Sequence, residues 1–176
     1  LARRGYAVPA PLLDRDWSHR RRADSLRTPI GRSAEGDVLE LDLKQAAEGG
    51  MGPHGVLVGA TGSGKSELLR SLVGGLAARH APEELAFVLV DYKGGAAFAE
   101  AAALPHTVGV VTDLDSRSTA RALRSLGAEL ARRERLLAAH DVVDIATLPD
   151  EVALARLVIV VDEFATLAEE LPTFVP

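Results

Sequence analysis

Cysteine is absent from this chain of 176 residues, which excludes disulfide scaffolds, thiolate zinc sites and cysteine nucleophiles. Long apolar runs are also missing, and none approaches the roughly 20 residues that a membrane-spanning helix needs. The hydrophobic fraction of 47% is nevertheless too high for a disordered chain, and the length suits one domain with or without a linker. Residue 1 is not Met and no signal segment follows it, so we expect a piece of a longer protein.

Net positive charge is confined to the first thirty residues. Seven arginines against three aspartates give residues 1–30 a balance of +4, so the remaining residues carry −9 to reach the net charge of −5. An acidic body argues weakly against general binding to a phosphate backbone. The basic segment could touch an anionic lipid or a partner, but a solvated linker is the favoured interpretation. We therefore predict a linker over residues 1–27, with Trp17 as its packing anchor.

The apolar pattern predicts a hairpin followed by alternating strands and helices. Residues 28–31 and 38–43 flank a turn-rich segment and predict a hairpin with one buried face. Runs that are apolar at successive positions are typical of parallel strands covered on both faces, and four follow: residues 56–58, 87–90, 108–111 and 157–161. Helices are predicted over residues 66–79, 96–103, 116–140 and 164–170. This alternation indicates an α/β fold with a mostly parallel sheet.

The segment between the first apolar run and the first helix fits the phosphate-loop (Walker A) pattern G-x-x-x-x-G-K-[ST]. Its glycines let backbone N–H groups turn inward around phosphate oxygens, and the following helix N-terminus adds its dipole. Lys65 can reach the β- and γ-phosphates, and the Ser66 hydroxyl can ligate Mg²⁺. Lysine is rare here, at three of twenty basic residues, and a compact ammonium fits between phosphates. The predicted loop residues are Gly59, Ala60, Thr61, Gly62, Ser63, Gly64, Lys65 and Ser66.

An acidic pair, Asp162 and Glu163, ends the last apolar run. The C-terminal ends of parallel strands form the ligand-binding edge of an open α/β sheet. We predict that Asp162 holds Mg²⁺, through water, and that Glu163 orients and polarises the attacking water. The alternative is a pair that merely caps the next helix. Because a Glu follows the Asp, the pattern favours a hydrolase of nucleoside triphosphates over a kinase.

Two further charged segments leave their roles open. Asp91, Lys93, Gly94 and Gly95 follow the second apolar run, where the glycine pair permits close backbone approach. This segment fits a nucleotide contact, a subunit interface or an ordinary charged turn. Arginines 132 and 133 lie in the middle of the long helix, and we interpret them as part of a solvated face.

Together these segments resemble the FtsK/SpoIIIE-type ATPase domains of the P-loop class. The resemblance rests on the phosphate loop with Glu67 after it, on Asp162 and Glu163 within residues 160–164, and on residues 91–95, 104–106, 111–113 and 129–133. Within that family, residues 29–31, 41–43 and 47–55 are similar to the first ATPase domain of the EccC and EssC motors of type VII (ESX) secretion. The resemblance covers about residues 26–176.

The resemblance implies a RecA-like fold over residues 28–176, with the C-terminal part of the domain beyond the chain. It implies ATP and Mg²⁺ as ligands, Glu67 as a further nucleotide-binding residue, and Lys65 and Glu163 as catalytic residues. It also implies a cytoplasmic hexamer, anchored to the membrane by a segment outside this chain. Its partners would be other membrane components of the secretion system and WXG-type secreted substrates.

The function implied by the resemblance is ATP hydrolysis that powers protein export. This chain alone is expected to be weakly active or inactive, because stabilising groups supplied in trans are missing. One alternative is a translocase of the same fold whose partner is double-stranded DNA. The other is a regulatory module that binds a nucleotide without hydrolysing it.

Overall fold

A computed structural model describes residues 26–46, 49–92, 97–112, 116–149 and 151–170 of the chain. Trp17 and nearly all of the predicted linker over residues 1–27 lie outside the described residues. Lys93, Gly94 and Gly95 lie outside them as well.

The predicted hairpin is present at the start of the described chain. Strand β1 (Arg27–Arg32) pairs antiparallel with β2 (Val38–Asp42), and the Ser33 hydroxyl holds the turn by accepting two backbone N–H groups. At the open end of the hairpin, Arg27 Nε donates to Asp42 Oδ2 at 2.8 Å. Burial opposes ionisation of Asp42, but the hydrogen bonds from Arg27 and from the Lys44 N–H outweigh it. The pKa of Asp42 is therefore below its usual value.

A parallel sheet of three strands forms the centre of the described fold. Its strands are β3 (Leu85–Asp91), β4 (Thr107–Val111) and β5 (Arg156–Asp162), in the order β4-β3-β5. The central strand β3 is buried at six of its seven positions, as its continuous apolar run predicts. The edge strand β4 instead alternates, and its Val108 is 68% exposed. The prediction that the strands are covered on both faces is thus confirmed for β3 and wrong for β4.

The described part of the chain contains three α-helices: α1 (Lys65–Ala77), α2 (Ser116–Ala139) and α3 (Phe164–Glu170). They agree with the predicted helices to within two residues at each end. The predicted helix over residues 96–103 is reduced to one 3₁₀ turn, Ala101–Ala103. Helix α1 packs on the sheet, and its buried Val73 and Leu76 belong to the same core as Phe87 of β3. Within the described ranges, no helix combines the length and the apolar content needed to cross a membrane.

The first of the four predicted strands, residues 56–58, is not a strand in the structure. Val56, Leu57 and Val58 have no regular secondary structure and are 84%, 41% and 87% exposed. A strand needs a neighbour that satisfies its backbone hydrogen bonds, and no described strand pairs with this segment. An apolar run favours a strand, but the strand forms only where a neighbouring strand can pair with it.

The hairpin rests on helix α1 through a close contact between Thr28 and Gly75. Thr28 is fully buried, and a Cβ added to Gly75 would lie 2.0 Å from the Thr28 hydroxyl oxygen. Arg79, just after α1, also donates to the carbonyl oxygen of Arg27 and to Glu40. The hairpin is therefore attached to the C-terminal end of the helix whose N-terminal end begins at the phosphate loop.

Candidate nucleotide-binding site

The phosphate-loop sequence forms an exposed turn that leads directly into helix α1. Gly62 and Gly64 have φ of 80° and 91°, a region that side chains with a Cβ rarely adopt, and Gly64 is the N-cap of α1. At Gly59 a Cβ would lie 2.5 Å from the Ser63 Oγ, so a larger residue there would require the Ser63 side chain to turn away. The loop therefore presents backbone N–H groups at the N-terminus of a helix of 13 residues, an arrangement that suits anion binding.

Lys65 folds back across the loop. Its Nζ donates to the carbonyl oxygens of Gly59 and Ala60 at 2.9 and 3.3 Å. The ammonium is thus held above the turn in which phosphate groups would bind. Both carbonyls are on exposed residues, so a phosphate can replace these bonds without leaving a buried group unpaired.

The structure brings Ser66 and Asp162, the predicted Mg²⁺ pair, into direct contact. Ser66 Oγ donates to Asp162 Oδ2 at 2.7 Å, although 96 positions separate the two residues. Asp162 is 6% exposed, and its other oxygen, Oδ1, accepts the N–H of Glu163 at 3.0 Å. A hydroxyl and a carboxylate are the hard oxygen donors that Mg²⁺ prefers, together with water and substrate phosphates. These two residues therefore fit the ion, although the described residues contain no cluster of three or more His, Cys, Asp or Glu that could hold a metal.

Glu163 lies between the end of β5 and the start of α3 with an uncommon backbone conformation. Its φ is 58°, in the left-handed region, and its carbonyl accepts the N–H of Thr166. Such a conformation costs free energy in a residue with a side chain and is found often at functional sites. The predicted catalytic carboxylate is thus at the same sheet edge as Asp162, half-buried rather than fully exposed.

Asp91 occupies the corresponding position on the neighbouring strand. It is paired in register with Asp162, it is buried, and its Oδ2 accepts the N–H of Ala97 at 2.8 Å. Sequence reasoning identified Asp91 but not Ala97, because no pattern links an aspartate to a backbone N–H six residues later. Glu67, in contrast, is exposed and forms an ion pair with Arg70 along α1.

Two arginines of helix α2 form specific hydrogen bonds with other residues. Arg132 and Arg133 both bond to Glu129, and Arg133 also donates to the carbonyl of Ala155 at 2.6 Å, just before β5. The bond from Arg132 outweighs partial burial and, with that from Arg133, lowers the pKa of Glu129 to about 2. The interpretation as a solvated face is therefore wrong for Arg133, which is only 16% exposed and ties α2 to β5. The spacing of Glu129 and Arg133, four residues apart, was the available signal.

Comparison with known proteins places these features in a family. The FtsK/SpoIIIE family matches residues 11–171. The ESX-4 secretion system protein EccC4 of Mycobacterium tuberculosis is 45% identical over 172 residues, which cover 90% of this chain and 14% of that protein. The type VII secretion system protein EssC of Staphylococcus aureus is 40% identical over 169 residues, which cover 90% of this chain and 11% of that protein.

A solved structure extends the similarity to the fold. The cytoplasmic domain of the Thermomonospora curvata type VII secretion ATPase EccC matches with a TM-score of 0.80 at 43% identity, over 90% of this chain and 20% of that chain. The chain thus spans a small part of each relative, 11% to 14% of the two curated proteins. The resemblance drawn from the motifs is confirmed at the level of sequence and of fold. The chain belongs to the FtsK/SpoIIIE family.

Proposed function

We propose that this chain is the nucleotide-binding part of an ATP-hydrolysing motor that powers protein export by a type VII (ESX) secretion system. The observation that carries the proposal is the contact of Ser66 with Asp162, which joins the phosphate loop to the strand end that bears Glu163. A simple glycine-rich turn has no need of a buried carboxylate beside it. The relatives named for type VII secretion support protein cargo over DNA.

Each residue of the site has a role in this proposal. Residues 59–66 bind the phosphates of ATP through their backbone N–H groups, and Lys65 exchanges its loop carbonyls for the β- and γ-phosphates. Ser66 and Asp162 hold Mg²⁺, which neutralises charge on the phosphate oxygens when it is bound. Glu163 accepts a hydrogen bond from the attacking water and orients it. Glu67 follows the loop and contributes its backbone N–H at the first turn of α1.

The proposed motor acts as an assembly of several subunits. A hexameric ring with ATP between subunits supplies stabilising groups in trans from the neighbouring subunit, and such groups contribute on the order of 10³–10⁵ in rate. The ring lies on the cytoplasmic side of a membrane, to which a segment outside this chain anchors it. Its partners are membrane components of the secretion system and WXG-type substrates, and residues 91–95 lie close to the nucleotide or to the neighbouring subunit.

The test is the ATPase rate of the full-length protein with two added cargoes. One is the C-terminal segment of a WXG-type substrate, and the other is double-stranded DNA. Stimulation by the segment and not by DNA supports export. Stimulation by DNA alone assigns the motor to DNA translocation, and tight ATP binding with negligible hydrolysis under all conditions indicates a regulatory module.

A further inference from the structure

Asp91 supports the phosphate-binding edge from the neighbouring strand. It is the last residue of β3 and pairs in register with Asp162, the last residue of β5. Adjacent strands lie about 4.8 Å apart, so the two aspartates occupy neighbouring positions at one edge of the sheet. The position of Asp162 therefore depends on how firmly the end of β3 is held.

The carboxylate of Asp91 accepts a hydrogen bond from the main chain. It is 4% exposed, and its Oδ2 accepts the N–H of Ala97 at 2.8 Å. A buried oxygen acceptor is costly unless it is hydrogen-bonded. This bond ties the chain at residue 97 to the end of β3.

Both ends of the segment closed by this bond are anchored in the interior. Tyr92 is 3% exposed, and Phe98 is 1% exposed and belongs to the core formed by α1 and β3. The hydrogen bond between Asp91 and Ala97 thus lies between two buried residues, Tyr92 and Phe98, and holds the strand end that is paired with Asp162. If it is lost, the end of β3 gains freedom relative to β5, and Asp162 and Glu163 are aligned less well.

We propose that Asp91 is a positioning residue of the site: its carboxylate is the hydrogen-bond acceptor that fixes the end of β3 beside Asp162, and it does not bind the metal ion or the nucleotide. The proposal rests on the proposed ATPase function. Because the phosphate loop belongs to a different element, loss of the bond lowers turnover more than affinity for ATP. This role requires an acceptor oxygen on the side chain of residue 91 and does not require a negative charge there.

Two substitutions separate the acceptor from the charge. Asparagine at position 91 keeps a carbonyl oxygen that can accept the Ala97 N–H, whereas alanine removes both the acceptor and the charge. In the full-length protein, Asp91→Ala is expected to lower kcat at least about tenfold with KM for ATP within about threefold, the pattern of lost alignment. Asp91→Asn is expected to keep at least about a third of kcat and the wild-type Mg²⁺ requirement.

Asp144 offers a matched control. Its Oδ1 accepts the N–H of Ala146 at 2.7 Å in the exposed 3₁₀ turn Ile145–Thr147, between α2 and β5. Asp144→Ala removes the same kind of bond, and Asp144→Asn keeps its acceptor oxygen, in both cases away from the C-terminal edge of the sheet. Both are expected to leave kcat at the wild-type value.

Each other outcome decides against the proposal in a distinct way. An Asp91→Ala protein with wild-type kcat overturns it. So does an Asp91→Asn protein that is as impaired as Asp91→Ala or that needs more Mg²⁺, because either result makes the charge essential. If Asp91→Ala does not fold, the kcat and Mg²⁺ titration of Asp91→Asn still decide. A wild-type protein without Mg²⁺-dependent ATP hydrolysis overturns the proposed function and this proposal with it.

Discussion

The hydroxyl of Ser66 donates to the carboxylate of Asp162 at 2.7 Å, and this bond joins the first turn of α1 to the end of β5. The second Asp162 oxygen accepts the N–H of Glu163, so one buried carboxylate links the phosphate loop with the proposed catalytic residue. In the proposed site, the Ser66 hydroxyl and the Asp162 carboxylate would hold Mg²⁺, and these two groups are already next to each other. Preorganisation of this kind lowers the cost of binding.

Replacing Lys65 by alanine should abolish ATP binding while leaving the fold intact. Among the described residues, the Lys65 ammonium bonds to two exposed loop carbonyls, so its loss is expected to change the free energy of unfolding by less than about 0.5 kcal/mol. The affinity for ATP should fall at least about a hundredfold, because no other described lysine lies in the loop. Equilibrium binding of a fluorescent ATP analogue checks this, with Lys44→Ala as the control that should bind normally. Normal binding of the ATP analogue by Lys65→Ala would show that Lys65 does not contribute to nucleotide binding.

Gly75 and Gly74 should respond to alanine in opposite directions. A Cβ at Gly75 would lie 2.0 Å from the Thr28 hydroxyl oxygen, whereas a Cβ at Gly74 meets nothing within 4 Å. Gly75→Ala is therefore expected to destabilise the protein by about 1–3 kcal/mol through overpacking, despite its better helix propensity. Gly74→Ala should gain up to about 1 kcal/mol. Denaturant unfolding of the two variants measures both, and equal stabilities would contradict the packing of the hairpin on α1.

Acid should weaken the attachment of α2 through Glu129. The bonds from Arg132 and Arg133 lower the pKa of Glu129 from 4.5 to about 2, so their contribution is present above pH 4.5 and is lost as the pH falls to about 2. Because the pair is partly exposed, the expected contribution at neutral pH is about 0.5–1 kcal/mol. Glu129→Gln should lower the free energy of unfolding at pH 7 by that amount and flatten its decline between pH 4.5 and 2. Glu134→Gln, on the same helix, should follow the wild-type curve, and a wild-type curve for Glu129→Gln would show that the cluster contributes nothing.

The buried His106 adds a second acid-sensitive contribution at higher pH. Burial lowers the pKa of His106 below 6.5, which outweighs the hydrogen bond to the carbonyl of His80. The unfolded chain therefore binds a proton at a higher pH than the folded chain does, and stability falls as the pH drops below 6.5. Because His106 is present in both Glu129→Gln and wild type, its contribution cancels from the difference between the two proteins at each pH.

Glycine at position 163 should be more stable than alanine there. The φ of 58° at Glu163 is unfavourable for any residue with a Cβ. Glu163→Gly is therefore expected to exceed Glu163→Ala in the free energy of unfolding by about 1 kcal/mol. At Glu134, inside helix α2, the order should reverse by a similar amount. If alanine is the more stable at both positions, the left-handed conformation of Glu163 is not present in solution.

Much of this fold and site follows from local sequence, and the exceptions have physical reasons. The apolar pattern predicts the three α-helices and the strands β3 to β5. The spacing of the motifs predicts that Lys65, Ser66 and Asp162 belong to the candidate site. Residues 56–58 have the same apolar character as β5, yet pairing depends on a neighbour rather than on the run itself. The bond of Asp91 to Ala97 and that of Arg133 to Ala155 end on backbone groups, which carry no side-chain signal.

The most direct test of the central claim separates nucleotide binding from hydrolysis at Glu163. In the full-length protein, Glu163→Gln should bind ATP with a Kd within about threefold of wild type, because the phosphate loop and the Ser66–Asp162 contact are untouched. Single-turnover hydrolysis should slow by about 10²–10⁴, the usual contribution of a general base. Hydrolysis at the wild-type rate would contradict the assignment of Glu163 and, with it, the ATP-hydrolysing site proposed at this edge of the sheet.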